Sequence, residues 1–219
     1  MPTRSIQPLV LSALLAMSSA LAASTETTEH LRFDIEFDGK RLGQHEFQVT
    51  QQENGKTKVV SIVEMRYRLA FVTLFRYQHS ATEQWRDGCL TTLSSTTNDD
   101  GERYAVEGAQ TSEGFVVKHR LPKSEQERIA ETCPASFAYW QPEALQRSAL
   151  INAQTGRLEP VQVARTGTRQ LGDVTTEHWT IETENEGTIE LWYAASDGRW
   201  LQLQHTSEDG VLLYQRSDS

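Results

Sequence analysis

Apolar and polar residues alternate along most of the chain. In the segment LRFDIEF (31–37) every second residue is apolar, and each residue between them is charged. A period of two is typical of a β-strand with one buried and one solvated face. The segments HEFQVTQ (45–51) and TKVVSIVEMRY (57–67) continue this period. The pattern predicts strands at residues 31–37, 42–51, 57–69, 76–86, 89–97, 102–108, 114–120, 158–166, 174–183, 188–194, 199–206 and 211–216.

Turn sequences separate these strands. Type I′ hairpin turns need positive φ at both central residues, and Asp-Gly or Asn-Gly supplies it at low cost. Such pairs occur at Asp38-Gly39, Asn54-Gly55, Asp87-Gly88, Asp100-Gly101, Asp197-Gly198 and Asp209-Gly210. A sheet of this many strands twists, and it must close, split or be covered. The predicted fold class is therefore all-β, a long antiparallel meander curled into a barrel or half-barrel.

One region interrupts the alternation, at residues 123–156. Ser124 with Glu127 three residues later resembles a helix capping box. Pro142 suits the first turn of a second short helix. We expect a short helical or irregular insertion that covers one side or end of the sheet.

The N-terminus has the features of a secretory signal peptide. Arg4 precedes an apolar run at residues 9–17, and Ala20-Leu21-Ala22 fits the small-x-small cleavage pattern. We expect a signal peptide at residues 1–22 and a single all-β domain at 23–219. No later segment is apolar enough to span a membrane. These features predict export to the periplasm or beyond, and the absence of an Asn-x-Ser/Thr sequon favours a bacterial periplasm.

The charge balance excludes one class of partner. The net charge is −9, and loss of Arg4 with the signal peptide makes it −10. Binding to nucleic acid without sequence preference requires a basic surface, so we expect no nucleic-acid partner. The sequence identifies no protein partner.

Two cysteines, Cys89 and Cys133, lie outside the signal peptide. In an oxidising compartment such a pair often forms a disulfide, which here would close a loop of over forty residues. The chain-entropy model gives roughly 3–4 kcal/mol for such a loop. The alternative is two unrelated buried thiols.

The segment YQHSATEQWRDGC (77–89) has the composition of a metal or catalytic site. In a strand, however, His79 and Glu83 stand roughly 13 Å apart along the chain, too far to share one metal ion. A two-residue loop at Asp87-Gly88 would place Cys89 on the sheet face opposite His79, whereas a three-residue loop would reverse this. We interpret the segment as structural and predict no metal site and no cofactor.

A second candidate lies in the C-terminal strands. With two-residue loops at both Asp-Gly pairs, Glu190 faces His205 and His205 faces Tyr214, which forms a row across three strands. Such a row could perform general acid–base chemistry in a hydrolase or isomerase, or bind the polar end of a ligand. The alternative is a satisfied buried row or a solvent-facing ladder of cross-strand pairs.

Several segments in the same order resemble a family of uncharacterised secreted bacterial proteins. They are RLGQHEFQV (41–49), YQHSATEQWRDGCLTTLSSTTNDDG (77–101), INAQTGRLEPVQV (151–163), LWYAASDGRWLQL (191–203) and EDG (208–210). The resemblance covers nearly the whole chain after the signal peptide and implies fold and compartment but no reaction. The alanines after Tyr193 depart from the acidic residue expected there, which argues against a metal-binding loop.

The most apolar stretch after the signal peptide is YRLAFVTLFRY (67–77). It is either a bent connection packed on both faces or the apolar lip of a cavity. Candidate ligand-binding residues are Phe71, Leu74, Phe75, Trp85 and Trp192. We favour a non-catalytic periplasmic protein that binds an apolar or lipid-like small molecule. The alternatives are an enzyme that uses the Glu190/His205/Tyr214 row, and a structural or partner-binding envelope protein with an exposed apolar patch.

Overall fold

The structure is a computed structural model that describes residues 26–52, 55–69, 72–121, 125–129, 132–184 and 187–217. The predicted signal peptide lies outside these residues. The described residues form fourteen strands and one short helix. The elements are β1 (Thr27–Phe37), β2 (Lys40–Gln51), β3 (Lys56–Leu69), β4 (Val72–Arg86), β5 (Cys89–Asp99), β6 (Glu102–Thr111), β7 (Gly114–Leu121), β8 (Glu125–Ile129), α1 (Pro142–Leu145), β9 (Ala149–Ile151), β10 (Leu158–Leu171), β11 (Val174–Thr183), β12 (Gly187–Ala194), β13 (Trp200–Ser207) and β14 (Gly210–Arg216).

The strands form an antiparallel sheet in which almost every strand pairs with its neighbours in sequence. The order is β8-β7-β6-β5-β4-β3-β2-β1-β14-β13-β12-β11-β10-β9. β9 adds only a three-residue ladder at the start of β10, so the main sheet has thirteen strands. The sheet does not close, because no ladder joins its two end strands among the described residues. The prediction of an all-β antiparallel meander is confirmed, and of the predicted barrel or half-barrel the structure has the open form.

The curled sheet encloses a hydrophobic core. Phe33 on β1, Phe115 on β7 and Leu191 on β12 belong to a single cluster and are fully buried. Strands this far apart in the sheet order can share a core only if the sheet wraps around it. On β1 the buried face consists of Leu31, Phe33 and Ile35, as the period of two predicted.

Three Asp-Gly turns have the predicted type I′ geometry. The pairs at residues 38–39, 87–88 and 100–101 have positive φ at both positions, for example 51° at Asp87 and 76° at Gly88. Arg86 pairs with Cys89 as predicted, but a bulge beyond Trp85 then brings His79 opposite Thr97. A bulge shifts the register by one residue without changing the turn.

The two C-terminal Asp-Gly pairs do not form type I′ turns. Asp197 and Asp209 are absent from the residues with positive φ. The Ala194 N–H donates to the Arg199 carbonyl at 2.8 Å, so the β12–β13 loop is longer than two residues. Between β13 and β14, Ser207 pairs with Gly210, and the two loop residues are 208 and 209.

The insertion at 123–156 is irregular in part and contains α1, with Pro142 in its first turn as expected. The prediction of a capping box is wrong, because Glu127 lies in strand β8, where it pairs with Val117 of β7. Ser124 lies outside the described residues. The segment that follows β8 crosses from β5 to β9. The Leu90 N–H donates to the Pro134 carbonyl, and the Ile151 N–H donates to the Ala135 carbonyl, both at 2.8 Å.

The disulfide between Cys89 and Cys133 is present, with a Cα–Cα distance of 4.8 Å. It joins the first residue of β5 to the crossing segment, so this predicted pairing is confirmed. No helix in the described part of the chain has the length and apolar character needed to cross a bilayer.

Candidate functional site

A cavity of about 300 Å³ lies on the concave face of the curled sheet. Inward-facing side chains of β2, β3, β4 and β14 form its walls. Two parts of the insertion, residues 136–140 and 152–154, form its roof. We call this cavity the inner chamber and these two segments the roof.

The period of two brings polar side chains into the inner chamber. On β4 the residues Tyr77, His79, Ala81 and Glu83 share the inward face. His45 on β2 also faces inward. The wall therefore combines apolar residues with groups that form hydrogen bonds.

His45 is almost completely buried in the wall. Its Nε2 lies 2.7 Å from the Ser61 hydroxyl. The ring stacks on Phe47, with 3.9 Å between centroids, and meets Tyr214 at 5.7 Å. No described residue forms a hydrogen bond with its Nδ1. Burial lowers the pKa of His45 well below its usual range, so the ring is neutral near pH 7.

His79 and Tyr77 are held by partners on other elements. The His79 Nδ1 lies 2.8 Å from the Thr97 hydroxyl, and burial lowers the pKa of His79 to about 4. The Tyr77 hydroxyl donates to Oε1 of Gln154 in the roof at 2.9 Å. Burial raises the pKa of Tyr77, so its phenol stays protonated. Both groups enter the chamber as uncharged hydrogen-bonding groups.

Glu83 has two hydrogen-bond donors. The Trp85 indole N–H donates to its Oε2 at 2.9 Å, and the Ser136 side chain in the roof forms a second bond. Burial raises the pKa of Glu83, and the two hydrogen bonds oppose part of that effect. Trp85 itself is 2% exposed and packs edge-on against Trp140 at 5.7 Å. This predicted ligand-binding residue is a core residue beside the chamber.

A second cavity, of about 560 Å³, lies at one end of the curled sheet. We call it the mouth pocket. Its lining surface is mainly apolar and comes from Phe37, Leu42, Met65, Tyr67, Phe75 and Leu212. The charged residues Asp38, Lys40 and Asp209 also border it. Met65 and Leu212 also line the inner chamber, so the two cavities adjoin. The chain therefore has a mainly apolar pocket beside a chamber whose apolar walls also carry hydrogen-bonding groups.

The remaining predicted ligand-binding residues are dispersed. Phe75 lines the mouth pocket, whereas Leu74 is 50% exposed. Phe71 lies outside the described residues. Trp192 lies on the convex face, where its ring contacts His178 with 4.8 Å between centroids. Of the apolar stretch 67–77, Phe75 and Tyr67 thus fit the interpretation as a cavity lip.

The predicted Glu190/His205/Tyr214 row does not form. Glu190 pairs with Gln204, and His205 pairs with Leu212 instead of Tyr214. The longer β12–β13 loop and a bulge at Trp192 shift the register between β12 and β13. The turn at 208–209 shifts the register between β13 and β14. Tyr214 lines the inner chamber, His205 lines the mouth pocket, and Glu190 faces away from both.

Glu190 instead belongs to a polar row that sequence reasoning missed. Its Oε1 lies 3.0 Å from His178 Nε2, and the His178 Nδ1 lies 2.5 Å from the Thr166 hydroxyl. Thr166 is the extra residue of a bulge in β10, between Arg165 and Gly167, and Gly167 pairs with His178. A glycine inside a strand pattern is the sequence signal that could have indicated this bulge. The Thr166 hydroxyl also lies within hydrogen-bond distance of the His178 carbonyl, at 3.2 Å. We interpret this row as hydrogen bonding that fixes the bulge. In the described part of the chain no group of three or more His, Cys, Asp or Glu side chains could hold a metal ion.

Comparison with known proteins identifies proteins of similar fold, but it indicates no reaction. A β-barrel-like protein of the DUF1849 domain of unknown function from Brucella abortus superposes with a TM-score of 0.65 at 13% identity, over 86% of this chain and 95% of that chain. A DUF1329 family protein from Desulfovibrio piger aligns over 90% of this chain and 85% of that chain at 10% identity, but its TM-score of 0.27 is too low to support a structural argument. No curated protein matches the chain. The sequence profile of a domain of unknown function, DUF6134, matches residues 33–217, and the chain belongs to this family.

Proposed function

We propose that this protein binds an apolar or lipid-like small molecule inside its curled sheet, without catalysing a reaction. The observation that carries the proposal is the pair of adjoining cavities, which share Met65 and Leu212. The mouth pocket is mainly apolar, and the inner chamber combines apolar walls with hydrogen-bonding groups. An amphipathic molecule has the same division into an apolar and a polar part.

The size and lining of the cavities support binding. Small-molecule sites typically enclose about 300–1,000 Å³ and combine apolar walls with a few placed polar groups. The chamber of about 300 Å³ and the mouth pocket of about 560 Å³ fall within this range. In contrast, the proposed acid–base row has lost its geometric basis, because Glu190, His205 and Tyr214 occupy three different places.

We also propose that the protein works in the bacterial periplasm. The signal-peptide pattern of residues 1–22 motivates this location. The Cys89–Cys133 disulfide supports it, because disulfides persist in oxidising compartments and are rare in the cytosol.

The test begins with protein exported by its own signal sequence and purified without detergent. Organic extraction followed by mass spectrometry should detect a co-purified lipid. The delipidated protein should then bind a fluorescent fatty acid methyl ester or the corresponding fatty acid with saturation. A preparation that carries no lipid and takes up neither probe would refute the proposed function.

Two neighbouring residues provide a matched pair of variants. Phe75 lines the mouth pocket and Leu74 is exposed. Phe75→Ala removes apolar surface from the pocket and should weaken probe binding about fivefold to tenfold. Leu74→Ala should leave binding unchanged. Equal effects of the two variants would show that the probe does not occupy the mouth pocket.

A further inference from the structure

The inner chamber combines apolar walls with hydrogen-bonding groups, and these groups include no permanently charged cation. Among the described residues that line it, none is a lysine or an arginine. Its polar groups include the Tyr77 and Tyr214 phenols, the His79 imidazole and the Gln154 amide. These groups donate and accept hydrogen bonds while uncharged.

Two buried nitrogen atoms of chamber residues have no hydrogen-bond partner among the described residues. They are the Nδ1 of His45 in the wall and the indole Nε1 of Trp140 in the roof. Buried polar atoms in folded proteins are nearly always paired, so each exception needs an explanation. The indole N–H requires an acceptor, such as a carbonyl or hydroxyl oxygen. Two such atoms around one cavity point to a polar occupant.

We propose that the inner chamber binds the uncharged, hydrogen-bonding head group of an amphipathic ligand of the monoacylglycerol type, while the acyl chain occupies the mouth pocket. A head group of this type presents hydroxyl groups and an ester carbonyl. This inference rests on the proposed function and adds the chemical class of the ligand.

The electrostatics of the chamber disfavour a charged head group. A carboxylate or phosphate would lose its hydration without an opposite charge to replace it. Burial holds the pKa of His79 at about 4 and lowers that of His45, so neither imidazole supplies a positive charge near pH 7. A cationic head group would need the Glu83 carboxylate, whose oxygens already accept from Trp85 and Ser136.

The experiment compares ligands with one acyl chain and different head groups. Monoacylglycerol, free fatty acid, lysophosphatidic acid and lysophosphatidylcholine compete with a fluorescent fatty acid methyl ester at pH 7.5, each below its micelle concentration. Monoacylglycerol should displace the probe at a concentration at least about tenfold lower than any charged or zwitterionic competitor.

Two tryptophan variants test whether the head group occupies the chamber. Trp140→Phe removes the unpartnered N–H and keeps an aromatic ring, so monoacylglycerol affinity should fall about threefold to tenfold. Binding of diphenylhexatriene, a hydrocarbon probe without a head group, should not change. Trp179 also has an unpartnered indole N–H in the described structure but lies outside the chamber, so Trp179→Phe should change neither affinity.

The outcomes separate this inference from the proposed function. Tighter binding of an anionic or zwitterionic lipid, or equal binding of all four, would overturn the inference and leave lipid binding intact. Unchanged monoacylglycerol affinity in Trp140→Phe would overturn the placement of the head group. Failure of every ligand and probe to bind would refute the proposed function and this inference together.

Discussion

Acidification should destabilise the fold through a histidine in the chamber wall. The pKa of His79 is about 4 in the folded protein because the ring is buried, against an ordinary value of 6.5. Above pH 6.5 the ring is neutral in both the folded and the unfolded chain. As the pH falls towards 4, the unfolded chain gains a proton that the folded chain does not, so stability is lost in this window. A shift of this size corresponds to about 3 kcal/mol.

Other buried groups also titrate, so a variant must isolate the contribution of His79. Burial lowers the pKa of His45, which adds a loss of the same sign. Burial raises the pKa of Glu83, and its buried carboxyl becomes more favourable as the pH falls, which acts in the opposite direction. His79→Asn removes one titrating ring, and the Asn side chain can still bond to the Thr97 hydroxyl, which lies 2.8 Å from the His79 Nδ1.

The assay is urea unfolding, followed by tryptophan fluorescence, at several pH values from 7.5 to 4.5. Wild type should lose about 2–3 kcal/mol more than His79→Asn over this interval. His30→Asn removes an exposed histidine from β1 and should follow the wild type. Parallel pH profiles for wild type and His79→Asn would refute the reasoning, because the folded protein would then bind the proton as easily as the unfolded chain.

Two further predictions concern stability: one tests the disulfide, and the other tests the close approach of strands β2 and β3. Cys89→Ala with Cys133→Ala removes a cross-link over a sequence separation of 44, and urea unfolding should show a loss of about 4 kcal/mol; an unchanged midpoint would contradict the chain-entropy account. Gly43→Ala would place a Cβ atom in steric overlap with the Glu64 carbonyl oxygen, a backbone atom that cannot rotate away. It should therefore cost about 3 kcal/mol or more, and a melting temperature close to that of the wild type would show that the two strands separate easily.

The strands could be predicted from sequence because each one repeats the same local pattern. Twelve predicted ranges correspond to β1–β7 and β10–β14, and several agree at one or both ends. β8 could not be predicted in this way, since its sequence EQERI is polar and lacks a repeating apolar position. β9 has three residues, too few for any period to be visible.

The register of the C-terminal strands could not be predicted, because it depends on which residues form each turn. Asp100-Gly101 and Asp209-Gly210 look alike in sequence, yet only the first has positive φ at both residues. Gly210 packs against the Phe37 ring and the Asp38 carboxylate from the neighbouring hairpin, a tertiary contact that the dipeptide does not reveal. The predicted Glu190/His205/Tyr214 row assumed a two-residue loop at Asp209-Gly210. The prediction of the row is wrong because the loop residues are 208 and 209.

The inner chamber could not be predicted either, because its roof comes from a distant part of the chain. The sequence predicted the strand β4 and the insertion separately. In the fold they contact each other, for example where the Tyr77 hydroxyl donates to the Gln154 side chain, and these two residues are 77 positions apart in the sequence. No local pattern encodes such a contact, so the polar residues of β4 appeared to have no common partner.

The attachment of the roof to both halves of the sheet bears on how a ligand would enter. On one side the Ser95 hydroxyl in β5 donates to the Ala153 carbonyl at 2.5 Å. On the other side the Tyr193 hydroxyl in β12 donates to the Tyr139 carbonyl at 2.7 Å. Lifting the roof would break bonds on both sides, whereas the mouth pocket already adjoins the chamber. Under the proposed function, a ligand would therefore enter through the mouth pocket into a preformed chamber, which keeps the ordering cost of binding low.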